Sequence, residues 1–520
     1  MRTSCVFGAA LACVAAAAGS TSDEVKTFRT CRQTKYVTAN NQIFAVDPAN
    51  ETAQTPIQIK GVQWMGMETT DGIPNGLWGK GLVQVQSGIN GTSLADMLKF
   101  MYANKINVVR LPLTASNIMD DIFPKVKNIH GENKEIALYD KGFTPRMSDF
   151  LARFIGSFQK YRIGVVLDIH VLLPRFAQDA YWYYPSYTAV EDTDAYKTAV
   201  ILAKNYCKVD YWNVIGIEIK NGMTDVTWPS AAGGNNNTDW ATAADAIAAK
   251  INELCPQWLV FVSGGSNSKN GFVVDTASYP LWPGMNFANA TKRPLKAKNV
   301  VYSPQAFTQG TQPYGYYFNP KSNCSTVPLT DKNTECVVII NGTKVRNTYD
   351  ALRCPNSNLQ CQSYTPLATT DLAKTYQRLL DENLGDVVRA QKVPVVFGSF
   401  GGVYGVDQPL QSSVLDLIIK YISTSTAGGF FGSLNPDTEM WLEAPPAGNK
   451  TIGKTHYGLM SIRSWQVANA DLLAAMSAMK SSEIPCYGDA YPGNPDATNG
   501  AESTSAMLAV VTTMLLALFA

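Results

Sequence analysis

Eight short β-branched runs, each followed by a stretch of helical length, predict an α/β fold of the (β/α)8 barrel class. Three observations carry that expectation. The runs recur at regular spacing, at 57–66, 107–113, 164–171, 213–220, 258–263, 299–303, 393–398 and 428–433. They are near-continuously apolar, which suits parallel strands buried on both faces. They also stop abruptly: 212–223 (WNVIGIEIKNGM) and 393–402 (VPVVFGSFGG) end in polar and glycine residues. In a parallel barrel, chemistry sits at such strand tips.

Between and after the strands, amphipathic stretches at 93–104, 144–161, 194–207, 238–254, 371–392, 409–423 and 461–479 are expected to form the outer helices. The helix expected between 263 and 299 is weak in the sequence. Two connections are long. One, an insertion at about 308–366 in the sixth βα loop, carries Cys324, Cys336, Cys354 and Cys361, and is expected to be stapled by disulfides over the barrel mouth. The other, 172–192, contains the aromatic-dense FAQDAYWYYPSY.

Composition narrows the function. Hydrophobic residues make up 46%, ample for a large core, and charged residues only 16%, below the usual ~25%. Lys+Arg 43 against Asp+Glu 42 leaves a net charge of +1, so no nucleic-acid partner is expected. With 10 Trp, 24 Tyr and 20 Phe, flat uncharged partners such as sugars fit better. No HExxH, phosphate-binding loop or CxxC pair is present, and His130 and His456 lack ligand-like spacing, so neither metal nor cofactor is expected.

The termini suggest secretion and anchoring. Residues 1–19 read as a signal peptide: one Arg, an Ala-rich apolar run, then small residues. Residues 20–486 form the barrel unit, 487–505 a linker rich in Gly, Pro, Asn and Ser, and 506–520 an apolar tail. Small polar residues before that tail fit a cleaved glycosylphosphatidylinositol (GPI) signal at the cell surface, a lipid anchor to the membrane, with a transmembrane tail as the alternative. Of the 10 cysteines, Cys5 and Cys13 fall in the signal, and the other eight read as disulfides. Cys207 and Cys255, near the ends of the helices flanking the fourth strand, are expected to pair. Cys31 is expected to pair with Cys486, because the termini of a barrel meet at one face, and the four insertion cysteines among themselves. Sequons at Asn50, Asn90, Asn236, Asn289, Asn323, Asn341 and Asn449 agree with glycosylation in a secretory pathway.

The strand ends carry a resemblance. IKGVQWMGMET, NVVRLPL, VVLDIH, NVIGIEIKNGM with TW close behind, VYSPQAF and VVFGSFGG resemble, in order, the strand ends of glycoside hydrolase family 5, the cellulase family of retaining TIM-barrel glycosidases. The resemblance runs from about residue 57 to 479. It implies that Arg110 and His170 orient the catalytic pair and that Asn221 meets the sugar 2-hydroxyl. It also places Gly222 at the acid/base position and Ser399 at the nucleophile position, where the family has glutamates. The strand-six His and Tyr appear as Gln305 and Phe307, and the strand-eight Trp as Gly432.

That substitution is severe. A retaining glycosidase needs one carboxylate to attack and one carboxylic acid to protonate the leaving oxygen, ~5–5.5 Å apart. Glycine offers neither, and a serine hydroxyl is a poor nucleophile without a base. Glu218 lies two pleat repeats below Gly222, its Cα ~13 Å deeper, and is expected to be an interior residue near Lys220. Glu439, after the eighth strand, is the freer displaced candidate. The sequence therefore points to a catalytically degenerate pseudoenzyme that binds β-glucan or serves a structural role in the wall, with an active retaining β-glucanase using displaced carboxylates as the alternative. Trp78, Trp182, Tyr183, Tyr184, Gln305, Phe307 and Trp441 are the expected sugar contacts, since aromatic faces stack on apolar CH patches. Glutamates put back at 222 and 399 together are expected to restore some turnover.

Overall fold

The computed structural model describes residues lying between 31 and 488; the larger stretches outside it within that span are 81–89, 137–143, 175–180, 232–237, 309–316, 318–325, 329–336, 354–359 and 437–457. Eight parallel strands close into a barrel. They are Ile59–Gln63, Val108–Thr114, Gly164–Val171, Val214–Glu218, Leu259–Val262, a sixth strand in two pieces, Val396–Gly401 and Gly428–Phe431. Every residue of these seven unbroken strands is buried, as runs without polar alternation require.

The sixth strand breaks for a chemical reason. Val300–Tyr302 pairs with the fifth strand and Gln305–Phe307 with the seventh. Between them lie Ser303 and Pro304. Proline has no N–H to give a ladder, so only its carbonyl takes part, accepting from Gly398 N at 2.9 Å. A bridge between Tyr302 and Val395 completes the ring.

Helices on the outside start at side-chain caps. Ser93 accepts from Asp96 N ahead of Leu94–Ala103, Thr193 from Tyr196 N ahead of Asp194–Tyr206, and Asp239 from Thr242 N ahead of Trp240–Leu254. Met147–Phe158, Thr369–Leu380 and Pro409–Ser425 complete most of the layer. One expectation needs correction. In place of a helix spanning 461–479, helix forms, among the described residues, only at Ala470–Met476, capped by Asn469. The preceding residues are drawn inward because Trp465, 1% exposed, packs on Trp64 and over Gly76, where no Cβ would fit. The 263–299 stretch, weak as a helix in the sequence, carries a hairpin, Phe272–Val274 with Ala277–Tyr279.

A three-stranded antiparallel sheet, Lys35–Ala39, Gln42–Asp47 and Asn50–Ile57, covers the bottom of the barrel. Tyr36, Ile43 and Ala45 from it join Ile59, Val166, Leu259, Phe261 and Phe430 in a second apolar cluster, distinct from the large one under the helices. Cys31–Cys486, with Cα atoms 5.1 Å apart, ties this cover to the C-terminal segment, and Cys207–Cys255 joins two helix ends at 5.9 Å. Such cross-links typically contribute ~2–4 kcal/mol. In the insertion, Thr326–Pro328, Gln360–Ser363 and Ala351–Arg353 form a small sheet, and Val337–Ile340 pairs with Thr343–Arg346. Cys324, Cys336, Cys354 and the side chain of Cys361 lie outside the described residues, as do the signal and tail stretches.

Candidate active site

The polar groups at the barrel mouth are arranged around the guanidinium of Arg110, delivered by the second strand and fully buried. Its Nε donates to Glu218 Oε2 at 2.8 Å, Nη1 to Gln63 Oε1 at 2.6 Å and Nη2 to Asn221 Oδ1 at 2.9 Å. Nη2 also faces Asp168 Oδ1 at 3.1 Å. Strand register makes this possible, for Gln63 is the neighbour of Arg110 and Glu218 the neighbour of Asp168. Asp168 and His170, two apart on one strand, share a face, and His170 Nδ1 lies 2.7 Å from Asp168 Oδ2. Asn221 accepts a second hydrogen bond from Gln305 Nε2 at 2.7 Å.

Glu218 is an interior residue, as expected, but its partner is Arg110. Lys220 instead donates to the carbonyl of His170 at 3.0 Å. Strand depth misleads here because the long arginine side chain reaches both levels at once. Burial works against the Arg110 charge, but Asp168 and Glu218 more than offset it and hold the guanidinium above its ordinary value. Burial pushes the Glu218 carboxyl up to about 7, opposed by Arg110 and aided by Asp168. Glu68, just past the first strand, is likewise pushed to about 7 by burial, opposed by the Gly66 N–H that its carboxylate accepts. That turn needs its glycine: Gly66 has φ +131, and a Cβ there would meet the Asn75 and Ile73 backbone.

The two positions that the resemblance assigns to catalysis are filled differently. At Gly222 a Cβ would lie 2.8 Å from Gln305 Nε2 and 2.9 Å from both the C and O atoms of Pro283. Backbone therefore presses on this position. Trp282, beside that proline, is held by Tyr376 at 5.4 Å and Tyr317 at 6.1 Å, and those two rings stack at 4.7 Å and 8°. Ser399, 5% exposed, abuts Gly432: a Cβ on that glycine would collide with Ser399 Oγ, with Gln63 Oε1 next at 3.6 Å. The crowding here is between the Ser399 hydroxyl and position 432.

The expected sugar contacts are partly redistributed. Trp182 is 4% exposed and packs on Trp240 and Tyr183, so its ring is not offered to a ligand. Among the described residues of that loop, its neighbour Tyr181 is 46% exposed and Tyr183 is half-buried. Trp78 is half-buried over Gly91. Gln305 and Phe307 are buried, the latter through its carbonyl a partner of Tyr376. Tyr184, Trp441 and Glu439 lie outside the described residues. Among the described residues no group of three His, Cys, Asp or Glu could hold a metal ion.

Comparison with known proteins bears on this barrel. The cellulase family, glycosyl hydrolase family 5, matches residues 50–428. The chain belongs to that family. It is 27% identical over 298 residues, 56% of its length, to the major extracellular endoglucanase of Xanthomonas campestris, and this match spans 53% of that enzyme. An endoglucanase of Paenibacillus polymyxa is 25% identical over 68% of this chain and 81% of its own. Among solved structures, the Pyrococcus horikoshii endocellulase in complex with cellotetraose superposes with a TM-score of 0.60 at 22% identity, covering 87% of this chain and all of that one. The catalytic domain of the Xanthomonas enzyme gives 0.59 at 20% identity, with 85% of this chain and 99% of that one covered. At these identities the structures establish the shared barrel.

Against the family's fold, Gln63, Glu68, Asp168 and Pro283 are the site residues that sequence reasoning passed over. The Asp-x-His spacing signals Asp168, because period-two residues share a face. Nothing local signals that Pro283, 61 residues on, would settle against Gly222.

Proposed function

We propose that this protein is a non-hydrolytic member of family 5 that binds β-glucan, secreted and held at a cell surface through a lipid anchor. The single observation that carries the loss of catalysis is the Pro283 backbone, 2.9 Å from where a Gly222 Cβ would lie. A carboxylic acid has no room there, so the protonation of a leaving oxygen has no donor at that tip. The retained Arg110 supports the same reading. With no glutamate at 399, its charge is matched by Asp168 and Glu218, which gives it a structural reason to persist. Neither acid offers a displaced mechanism, since both are fully buried beneath that arginine.

Glucan binding is supported by kinship with endoglucanases, by the cellotetraose bound to the Pyrococcus relative, and by Tyr181, Tyr183 and Trp78 near the mouth. Secretion is supported by the extracellular Xanthomonas relative and the two disulfides. A β-glucan array and a sensitive reducing-end assay on one preparation test the reading. Retention on a β-glucan without product is expected. Turnover by the wild-type protein overturns the non-hydrolytic half, and failure to be retained on any β-glucan overturns the binding half.

A further inference from the structure

A cleft with the attributes of a ligand site lies on the outer wall, away from the mouth. The helix Thr369–Leu380 continues through a wide turn at Asp381–Gly385 into Asp386–Ala390 and runs beside Pro409–Ser425. Between them opens a cavity of about 550 Å³, within the ~300–1,000 Å³ usual for small-molecule sites. The wide turn is a π-helical segment, a rare device often found where a helix is shaped for function. Gly385 belongs to it. A Cβ there would lie 2.9 Å from Arg389 Nη1, so its absence lets the guanidinium fold down against the turn.

The lining has two characters. Val388, Leu417 and the ring of Tyr421 form an apolar side, with Tyr421 braced edge-on by buried Phe397 at 6.2 Å and 81°. Gln377, Asp381 and Arg389 form a polar side, where Gln377 Nε2 donates to Asp381 Oδ2 at 3.1 Å and Arg389 Nη2 to Asp386 Oδ1 at 2.6 Å. The Tyr421 hydroxyl joins the two, pushed up to about 12 by burial first and Asp381 second, so it remains a donor at neutral pH. Asp381 and Asp416 are balanced by Arg389 and Lys420, so the cleft does not select an ion by charge.

We propose that this cleft is a second saccharide-binding site, which takes one or two β-linked glucose units of the same polymer that the mouth binds. An apolar wall facing planar donors and acceptors suits a pyranose, whose CH face packs on rings and methyls while its vicinal hydroxyls meet the carboxylate and guanidinium forks. The glucose assignment rests on the glucan-binding reading; the cleft itself does not. Two sites on one polymer raise retention by mass action, on the order of 10²–10⁴-fold where the geometry lets both engage.

Amide hydrogen exchange on the full chain, with and without millimolar cellotetraose or its β-1,3-linked counterpart, tests this. Protection of 377–389 and 416–425 is expected, lost in Arg389→Ala and Gln377→Ala, both exposed positions where folding is not at stake. The same variants should reduce retention on insoluble glucan by at least about tenfold, a share of the avidity just given. Protection confined to the mouth, with retention unchanged in both variants, overturns the second site and leaves the glucan-binding reading standing. Protection of this cleft in a protein that no polymer retains supports the site and sinks the reading on which its ligand rests. No protection in the cleft with either saccharide overturns the proposal outright.

Discussion

The two positions that the resemblance assigns to catalysis, at the tips of the fourth and seventh strands, are surrounded in different ways. At Gly222 the intruders are the Pro283 carbonyl and the Gln305 amide, so backbone occupies the space. At Ser399 the neighbour is Gly432, whose missing Cβ leaves room for the Ser399 hydroxyl. Side-chain ends rotate aside at little cost, whereas backbone moves only with its segment. The Pro283 segment is anchored through Trp282 to Tyr317 and Tyr376, both fully buried. Backbone therefore fills the space at 222, whereas the contact between 399 and 432 is made by a side chain.

Arg110 serves both halves, and its loss should have the largest effect. Arg110→Ala leaves Asp168 and Glu218 buried without their cation, a change that typically costs about 3–5 kcal/mol. Denaturant unfolding should show it as a lower midpoint. A cost below about 1 kcal/mol would mean that the carboxyl groups are already neutral and that the ion pairs matter little.

Next comes the comparison itself, tested one methyl at a time. Gly222→Ala should cost about 1–3 kcal/mol, the range for overpacking a closed site. Gly432→Ala should cost less, and most of that cost should vanish when Ser399→Gly is added, a coupling visible in a double-mutant cycle. Equal costs at 222 and 432, with no relief at the second, would erase the distinction between backbone and side-chain filling.

The sequence declared the barrel more fully than the site. Each strand was legible because an apolar run ended at a polar or glycine tip, and Arg110, His170 and Asn221 came with those tips. The bottom sheet was harder to see. Asn50–Ile57 is exposed at every residue but Ile57, so it carries no apolar period. Yet Asn40 and Asn41, with φ 50 and 60, do spell the tight hairpin that joins the two strands before it. Trp182 misled for a physical reason: an aromatic loop reads the same whether its rings face solvent or, like this one, Trp240. Contacts between distant loops, such as Pro283 on Gly222, have no periodic or local signature at all.

A smaller effect separates the site by pH. Glu68 and Glu218 each rise from an ordinary 4.5 to about 7 on folding, so the folded state holds their protons more tightly. The stability they contribute is full below about 4.5 and is lost as pH rises through about 7. The melting temperature should fall between pH 5 and 8, and Glu68→Gln should flatten that slope. A slope unchanged by Glu68→Gln would show that this carboxyl does not titrate in the window.

The smallest expected effect is also the most decisive. Restoring both glutamates, as Gly222→Glu with Ser399→Glu, ought to rebuild the catalytic pair if the site had only lost side chains. The structure predicts no turnover above background. A glutamate at 222 must first displace the Pro283 carbonyl, and the three stacked rings resist that movement. Ser399→Glu alone should fold and bring a carboxylate toward the Arg110 side, but without an acid at 222 it should not cleave an unactivated glucan. An aryl β-glucoside, whose leaving group needs no proton, can then distinguish the halves: covalent labelling at residue 399, read by intact mass, is expected for Ser399→Glu and for the double variant alike. Turnover of polymeric glucan by the double variant would show that the Pro283 segment yields, and the contrast between the two tips would fail with it.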